Sequence, residues 1–155
     1  MKPLEGLKIV TVEHFAAGPY GSMYLADMGA TVFKIENAVS KGDPARKMGP
    51  YFLGENDSLV FQGWNTNKNS IALDLKTPQD RAAFLAIVRS ADAVMNNLRG
   101  DQPAKLGIDY ETLKAQKKDI VCLHISAYGR DNSRANWPGY DYLMQAEAGL
   151  MHLTG

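Results

Sequence analysis

The sequence predicts an α/β fold, a mostly parallel sheet flanked by helices. Short apolar runs alternate with helical patterns along most of the chain, the mark of such a sheet. The first run, the helix after it and the second run fit a compact β-α-β unit. At 155 residues the chain also has the length of one domain with its own core.

Residues 7–12 read as the first strand, and a loop from Glu13 to Gly18 follows. Pro19 suits a helix start, because its missing N–H costs nothing there. Residues 20–28 supply the helix, and Gly29 ends it as a C-cap would. Residues 31–35 are the second strand. Between 37 and 58, Gly42, Asp43, Pro44, Gly49, Pro50, Gly54, Asn56 and Asp57 predict a long irregular connection, a feature usually functional or mobile. Residues 70–75 read as a short strand. Thr77 is expected to cap the next helix, with Pro78 in its first position and Asp80 in its first turn. Its apolar face runs through Ala82, Phe84, Leu85, Ile87 and Val88. Residues 91–95 and 119–126 are further strands, and Asp141 is expected to cap a final amphipathic helix over 142–151. No repeat, low-complexity tract or linker interrupts the pattern. The pattern leaves open whether a short domain ends at Gly155 or more strands would follow.

Lys+Arg and Asp+Glu are both 17, so the formal net charge is zero. That balance argues against general nucleic-acid or membrane-surface binding, which needs a basic excess. It leaves room for a local basic site. The single cysteine, Cys122, permits no internal disulfide and suits a reducing compartment. Its apolar neighbours Ile120, Val121 and Leu123 favour a small buried hydrophobe over a nucleophile. No apolar stretch has the length of a membrane span, and the first residues lack signal-peptide features. The expectation is a soluble, cytoplasmic protein.

The two commonest nucleotide loops, G-x-G-x-x-G and G-x-x-x-x-G-K-[ST], are absent. His14, His124 and His152 lack metal-ligand spacing, so no metal site is expected. Ser22 does not sit in a nucleophile elbow. What remains is loop chemistry at strand ends, where open α/β sheets bind ligands. The small residues from Ala16 to Pro19 lead into a helix N-terminus, which would suit a phosphate or thioester oxygen. Taken alone, they read as a tight turn. Asn96, Asn97, Leu98 and Arg99, then Lys105 and Gly107, could hold a phosphate, with Arg99 giving two parallel hydrogen bonds. Alone, that segment is a solvated loop, and Lys68 and Lys76 are ordinary surface charge.

Together, the order and spacing resemble the family III CoA-transferases (CaiB/BaiF type), the group of formyl-CoA transferase and the carnitine CoA-transferases. The marks are Ala17-Gly18-Pro19, Leu25-Ala26-Asp27-Met28-Gly29-Ala30, Lys34-Ile35-Glu36, Gly42-Asp43-Pro44 and the run from Asn67 to Lys76. Pro138-Gly139-Tyr140-Asp141, Gln145-Ala146 and Gly149-Leu150-Met151 belong too. Each piece is weak, and their common order is specific.

The resemblance implies a Rossmann-like CoA-binding domain over 1–155, truncated on its C-terminal side, from a protein that forms an interlocked homodimer. It carries coenzyme A contacts onto Ala16, Ala17, Asn37, Leu73, Asp74, Leu75, Lys76, Asn97, Leu98, Arg99, Lys105, Tyr140 and Asp141. Asn96 stands where an acid is usual, Leu98 where an aromatic is usual, Asn37 where a basic residue or proline is common, and Asp101 where a glycine or proline is expected. The implied substrates are an acyl-CoA and a small carboxylic acid, with no metal. The implied nucleophile is an aspartate that passes through an aspartyl-CoA thioester. It is expected after Gly155, with Asp141 as a supporting acid. One rival is a 2-methylacyl-CoA racemase of the same fold. Those enzymes carry Gly-His-Asp where this chain has Gly139-Tyr140-Asp141, and a phenol, ionising near about 10, is a poor base at neutral pH. A second rival is a non-catalytic CoA-binding fragment, and a third, a generic Rossmann-like protein for another nucleotide, loses because the glycine fingerprint is absent.

Overall fold

Lys8–Val12 (β1) buries Ile9, Val10 and Thr11 in succession. A strand buried on both faces belongs in the middle of a parallel sheet. The computed structural model, which describes residues 2–155, has it there. Thr31–Asn37 (β2) pairs with one side of β1 in parallel, and Ala93–Asn96 (β6) with the other. Lys68–Leu73 (β5) lies outside β2 and Val121–His124 (β7) outside β6, both parallel. The five-stranded order is therefore β5-β2-β1-β6-β7. The chain winds outward from β1 to β5, then crosses back to β6. The order thus reverses between β1 and β6, and the crevice at the strand ends there is the expected ligand position.

Ala17–Asp27 (α1) covers one face, where Ala26 and Ala30 pack with Ile9 and Val32. Pro78–Arg89 (α3) covers the other, seating Phe84 and Val88 on Val10, Ile35 and Val94. Two short helices, Gln102–Leu106 (α4) and Tyr110–Leu113 (α5), extend that core with Ile108 and Leu113. Thr77 caps α3 as expected, accepting from the Asp80 N–H at 3.3 Å. Ala82 is exposed, so the apolar stripe is narrower than its sequence suggests.

Several boundaries differ from the sequence reading. Helix α1 begins at Ala17, so Pro19 is its third residue, where an N–H still has no intrahelical acceptor. Strand β5 runs earlier than expected because pairing with β2 starts at Val32 with Lys68 and ends at Asn37 with Leu73. The 37–58 connection is not wholly irregular. It contains a 3-10 turn, Pro44–Lys47, and a hairpin of Phe52–Gly54 (β3) with Asp57–Ser58 (β4). A helix, Leu59–Asn65 (α2), follows, capped by the Ser58 hydroxyl on the Phe61 N–H at 3.0 Å.

The final helix is two helices, Asp141–Glu147 (α6) and Leu150–Thr154 (α7). Gly149 separates them with φ +77, a left-handed turn that suits a residue without Cβ. Tyr140, not Asp141, holds the cap position of α6, so the expected side-chain cap is absent. The Asp141 carboxylate instead accepts from Gln145 one turn on.

Cys122 is half-buried against Val94, because β7 is a sheet edge. Burial raises its thiol pKa. On the opposite face of β7, Val121 and Leu123 are 63% and 50% exposed. Among the described residues, no helix is long and apolar enough to cross a membrane.

Candidate functional site

The loop from β1 into α1 crosses the crevice, and three side chains fix its backbone. Asn97, just past β6, accepts from the His14 N–H at 3.0 Å and donates to the His14 carbonyl at 2.8 Å. Asp43 Oδ1 accepts from the Phe15 N–H at 3.0 Å. Lys34 Nζ donates to the Glu13 carbonyl at 3.1 Å. Phe15 is thereby held at φ +60, a conformation costly for a residue with a Cβ. Gly18 permits the arrangement: a Cβ there would lie 2.9 Å from both Cβ and Cγ of Asn97.

Beneath the loop lies a buried ionic network. The Glu13 carboxylate accepts from the Ser22 hydroxyl at 2.6 Å and from Lys68 Nζ at 3.0 Å. Lys34 Nζ meets Asp43 Oδ2 at 2.8 Å. Lys68 also donates to the carbonyls of Pro19 and Trp64 and to Asn65 Oδ1, so it ties α1 and α2 to the end of β5. It is not the surface charge that the sequence suggests. Burial lowers its pKa to about 8, with Glu13 opposing the shift.

Glu36 extends the network into the 37–58 connection. Its carboxylate takes two bonds from Arg46, at 2.8 and 2.6 Å, one from the Ser70 hydroxyl at 2.6 Å and one from the Asp43 N–H at 2.7 Å. Burial alone would raise its pKa, but Arg46, Ser70 and the Asp43 amide outweigh it and bring the value to about 2. The Arg46 guanidinium also lies 3.7 Å from the Phe61 ring centroid. Glu36 thus holds Asp43, and Asp43 holds the loop.

Beside the loop is a cleft of about 270 Å³. Val12, Ile35, Leu73, Leu75, Leu98 and Leu106 give it apolar walls, while His14, Asn37, Asp74 and Lys76 bring polar groups to it. Such a mixture suits a ligand with both apolar and charged parts. His14 stands against the Phe15 ring edge at 5.3 Å, and burial lowers its pKa, with Asp43 opposing. The His14 imidazole lines the cleft, and its burial favours the neutral form.

The structure brings together only part of the residue set that the sequence singles out. Asn37, Leu73, Asp74, Leu75, Lys76 and Leu98 line the cleft. The Asn37 side chain is occupied in a turn, accepting from the Val39 N–H at 2.9 Å. Ala16 and Ala17 start α1 at the end of the clamped loop. Asn97 is committed to His14. Arg99 and Lys105 are not part of the cleft lining, although their chain neighbours Leu98 and Leu106 are, and each is paired with Asp101. Tyr140 and Asp141 are outside the cleft lining, with Tyr140 stacked on Tyr142 at 5.7 Å. The segment before them is packed closely: a Cβ on Gly100 would lie 2.2 Å from the Gly129 carbonyl oxygen.

Sequence reasoning assigns no role to Glu13, Lys34, Glu36, Asp43 or Arg46. The signal was present, since charged residues inside an apolar β2 are buried only with partners. Among the described residues, no group of three or more His, Cys, Asp or Glu could hold a metal.

The model of CoA-transferase family III matches residues 4–155. The chain belongs to that family. Among its relatives in family III is the succinate–glutarate CoA-transferase of Agrobacterium fabrum, 39% identical over 99% of this chain. The acetyl-CoA:oxalate CoA-transferase of Acetobacter aceti is likewise 39% identical over 99% of the chain. A solved CaiB/BaiF family protein from Brucella suis superposes with a TM-score of 0.90 at 36% identity, covering 99% of this chain and 41% of its own. The chain spans 39% of the length of the two enzymes.

Proposed function

We propose that this chain is the CoA-binding part of an acyl-CoA:carboxylate CoA-transferase. The observation that carries the reading is the clamped loop at the start of α1, set beside a cleft with apolar walls and Lys76 in its lining. In this reading the pantetheine arm lies along the leucines, and Lys76, Arg99 and Lys105 face the phosphates. The first turn of α1 offers N–H groups to the oxyanion of the thioester carbon.

The chemistry needs a carboxylate nucleophile. Its oxygen attacks the thioester carbonyl, the C–S bond breaks, and a mixed anhydride and a CoA thiolate result. The thiolate then attacks the aspartyl carbonyl, releasing the first acid and leaving an aspartyl-CoA thioester. The acceptor carboxylate runs the two steps in reverse, so no oxidant or metal is consumed. The bond of Asp141 to Gln145, at a helix start outside the cleft lining, supports reading it as a supporting acid. We take the nucleophile to lie outside these residues and Asp141 to support it.

Both relatives are named for dicarboxylates, so succinate, glutarate and oxalate are the acids to try. The exposed side of β7 supports an assembly larger than this chain, which we take to be a homodimer. The test is CoA exchange in the full protein from an acyl-CoA to each acid, with trapping of an enzyme-bound thioester by hydroxylamine. A trapped adduct with exchange is expected. Deuterium uptake at C2 of a 2-methylacyl-CoA without any acceptor acid would overturn the transferase reading.

A further inference from the structure

Asp101 sits between two cations, in the segment between the cleft-lining residues Leu98 and Leu106. Its Oδ1 meets Arg99 Nε at 2.6 Å, while Oδ2 meets Arg99 Nη2 at 3.0 Å and Lys105 Nζ at 2.6 Å. Gln102 Nε2 adds a bond to Oδ2 at 3.3 Å. Asp101 occupies the cap position of α4, where a carboxylate normally accepts from backbone N–H groups. It makes no such cap. Every hydrogen bond to its side chain comes from another side chain, two of them cationic.

The location matters as much as the pairing. Leu98 and Leu106 line the cleft, and Arg99 and Lys105 are their immediate neighbours in the chain. The side chains of Arg99 and Lys105 are 39% and 64% exposed, whereas that of Asp101 is 15% exposed. The cations are open to an incoming anion and already hold one. A guanidinium fork accepts a carboxylate or a phosphate through the same paired geometry. Pairs this exposed are individually weak, so exchange of one anion for the other is feasible.

We propose that Asp101 is a built-in competitor for the ligand's phosphate. It occupies Arg99 and Lys105 in the free protein, must release them when phosphate binds, and so lowers affinity for the phosphorylated part of CoA. The proposal rests on the CoA-binding reading above. A pure scaffold role, in which Asp101 merely orients the two cations, predicts the opposite sign.

The test is calorimetric titration of the full protein and its Asp101→Asn variant with CoA and, separately, with pantetheine, which carries no phosphate. The variant is expected to bind CoA about threefold tighter or more, the scale of an exposed ion pair. Pantetheine should bind unchanged. CoA affinity should also fall more steeply with added salt, since Arg99 and Lys105 then engage phosphate without a neighbouring carboxylate. Asp101→Gly, which removes the carboxylate without leaving an amide, should shift CoA affinity in the same direction. Unchanged or weaker CoA binding by both variants, or an equal gain for pantetheine, would overturn the proposal while leaving CoA binding intact. Absence of CoA binding in the unmodified protein would instead remove the reading on which it rests.

Discussion

Asn97 and His14 are joined by a reciprocal pair of hydrogen bonds, the amide accepting from the His14 N–H and donating to its carbonyl. The side chain serves the loop as a neighbouring strand would, just where β1 stops pairing. Asn97→Ala should cost about 1–3 kcal/mol, because two backbone groups lose their partners. It should also weaken CoA binding, because the amide holds the loop backbone at His14. Urea unfolding with calorimetry separates the two effects. An unchanged stability would mean that the loop finds other partners.

Gly18→Ala sets two effects against each other. Helix propensity favours alanine by about 1 kcal/mol. The added Cβ, however, would come within 2.9 Å of Asn97 and 3.0 Å of Glu13 Cβ. Overpacking should win, with net destabilisation of about 1–2 kcal/mol. Thermal unfolding of the variant gives the sign directly.

Glu36 makes acid sensitivity predictable. Its pKa falls from 4.5 to about 2 in the folded protein, so it stabilises the fold above pH 4.5. That contribution is lost as pH falls from about 4.5 towards 2. Glu36→Gln should therefore be less stable at neutral pH, by on the order of 3 kcal/mol, and its stability should vary less across that acidic range. Denaturation midpoints of both proteins from pH 2 to 7 provide the comparison. Parallel curves would show that Glu36 is not the group responsible.

Asp141→Asn distinguishes a supporting acid from a nucleophile. The carboxylate lies at the first position of α6 and accepts from Gln145, so its loss should cost less than about 1 kcal/mol. CoA exchange by the full protein should slow yet persist, with the trapped thioester still formed. Abolition of the adduct would move the nucleophile to Asp141.

The central layers were legible because they obey local rules. Ile9 to Val12 and Val32 to Ile35 are apolar enough to demand burial, and Thr77 with Pro78 announces a helix start. Lys34 and Glu36 were harder to read, because their partners come from distant segments: Asp43 and Arg46 in the long connection and Ser70 on β5. Helix α2 was hidden by Gly63 and by the polar residues around it. The break at Gly149 depends on one backbone angle, which composition does not reveal. A ligand site at the strand ends was legible from the alternation of strands and helices, whereas the strand order and the commitment of Asn97 and Arg99 to protein partners are tertiary information.

The border strand β7 has a practical consequence for anyone preparing the chain by itself. Its outer backbone groups are a template for pairing with another molecule, and the greasy stripe of Val121 and Leu123 would reward that docking. Four residues make a short template, which limits the growth of long ribbons. A lysine in place of Val121 would act as a gatekeeper on this rim, keeping concentrated solutions clear without altering any residue of the cleft lining.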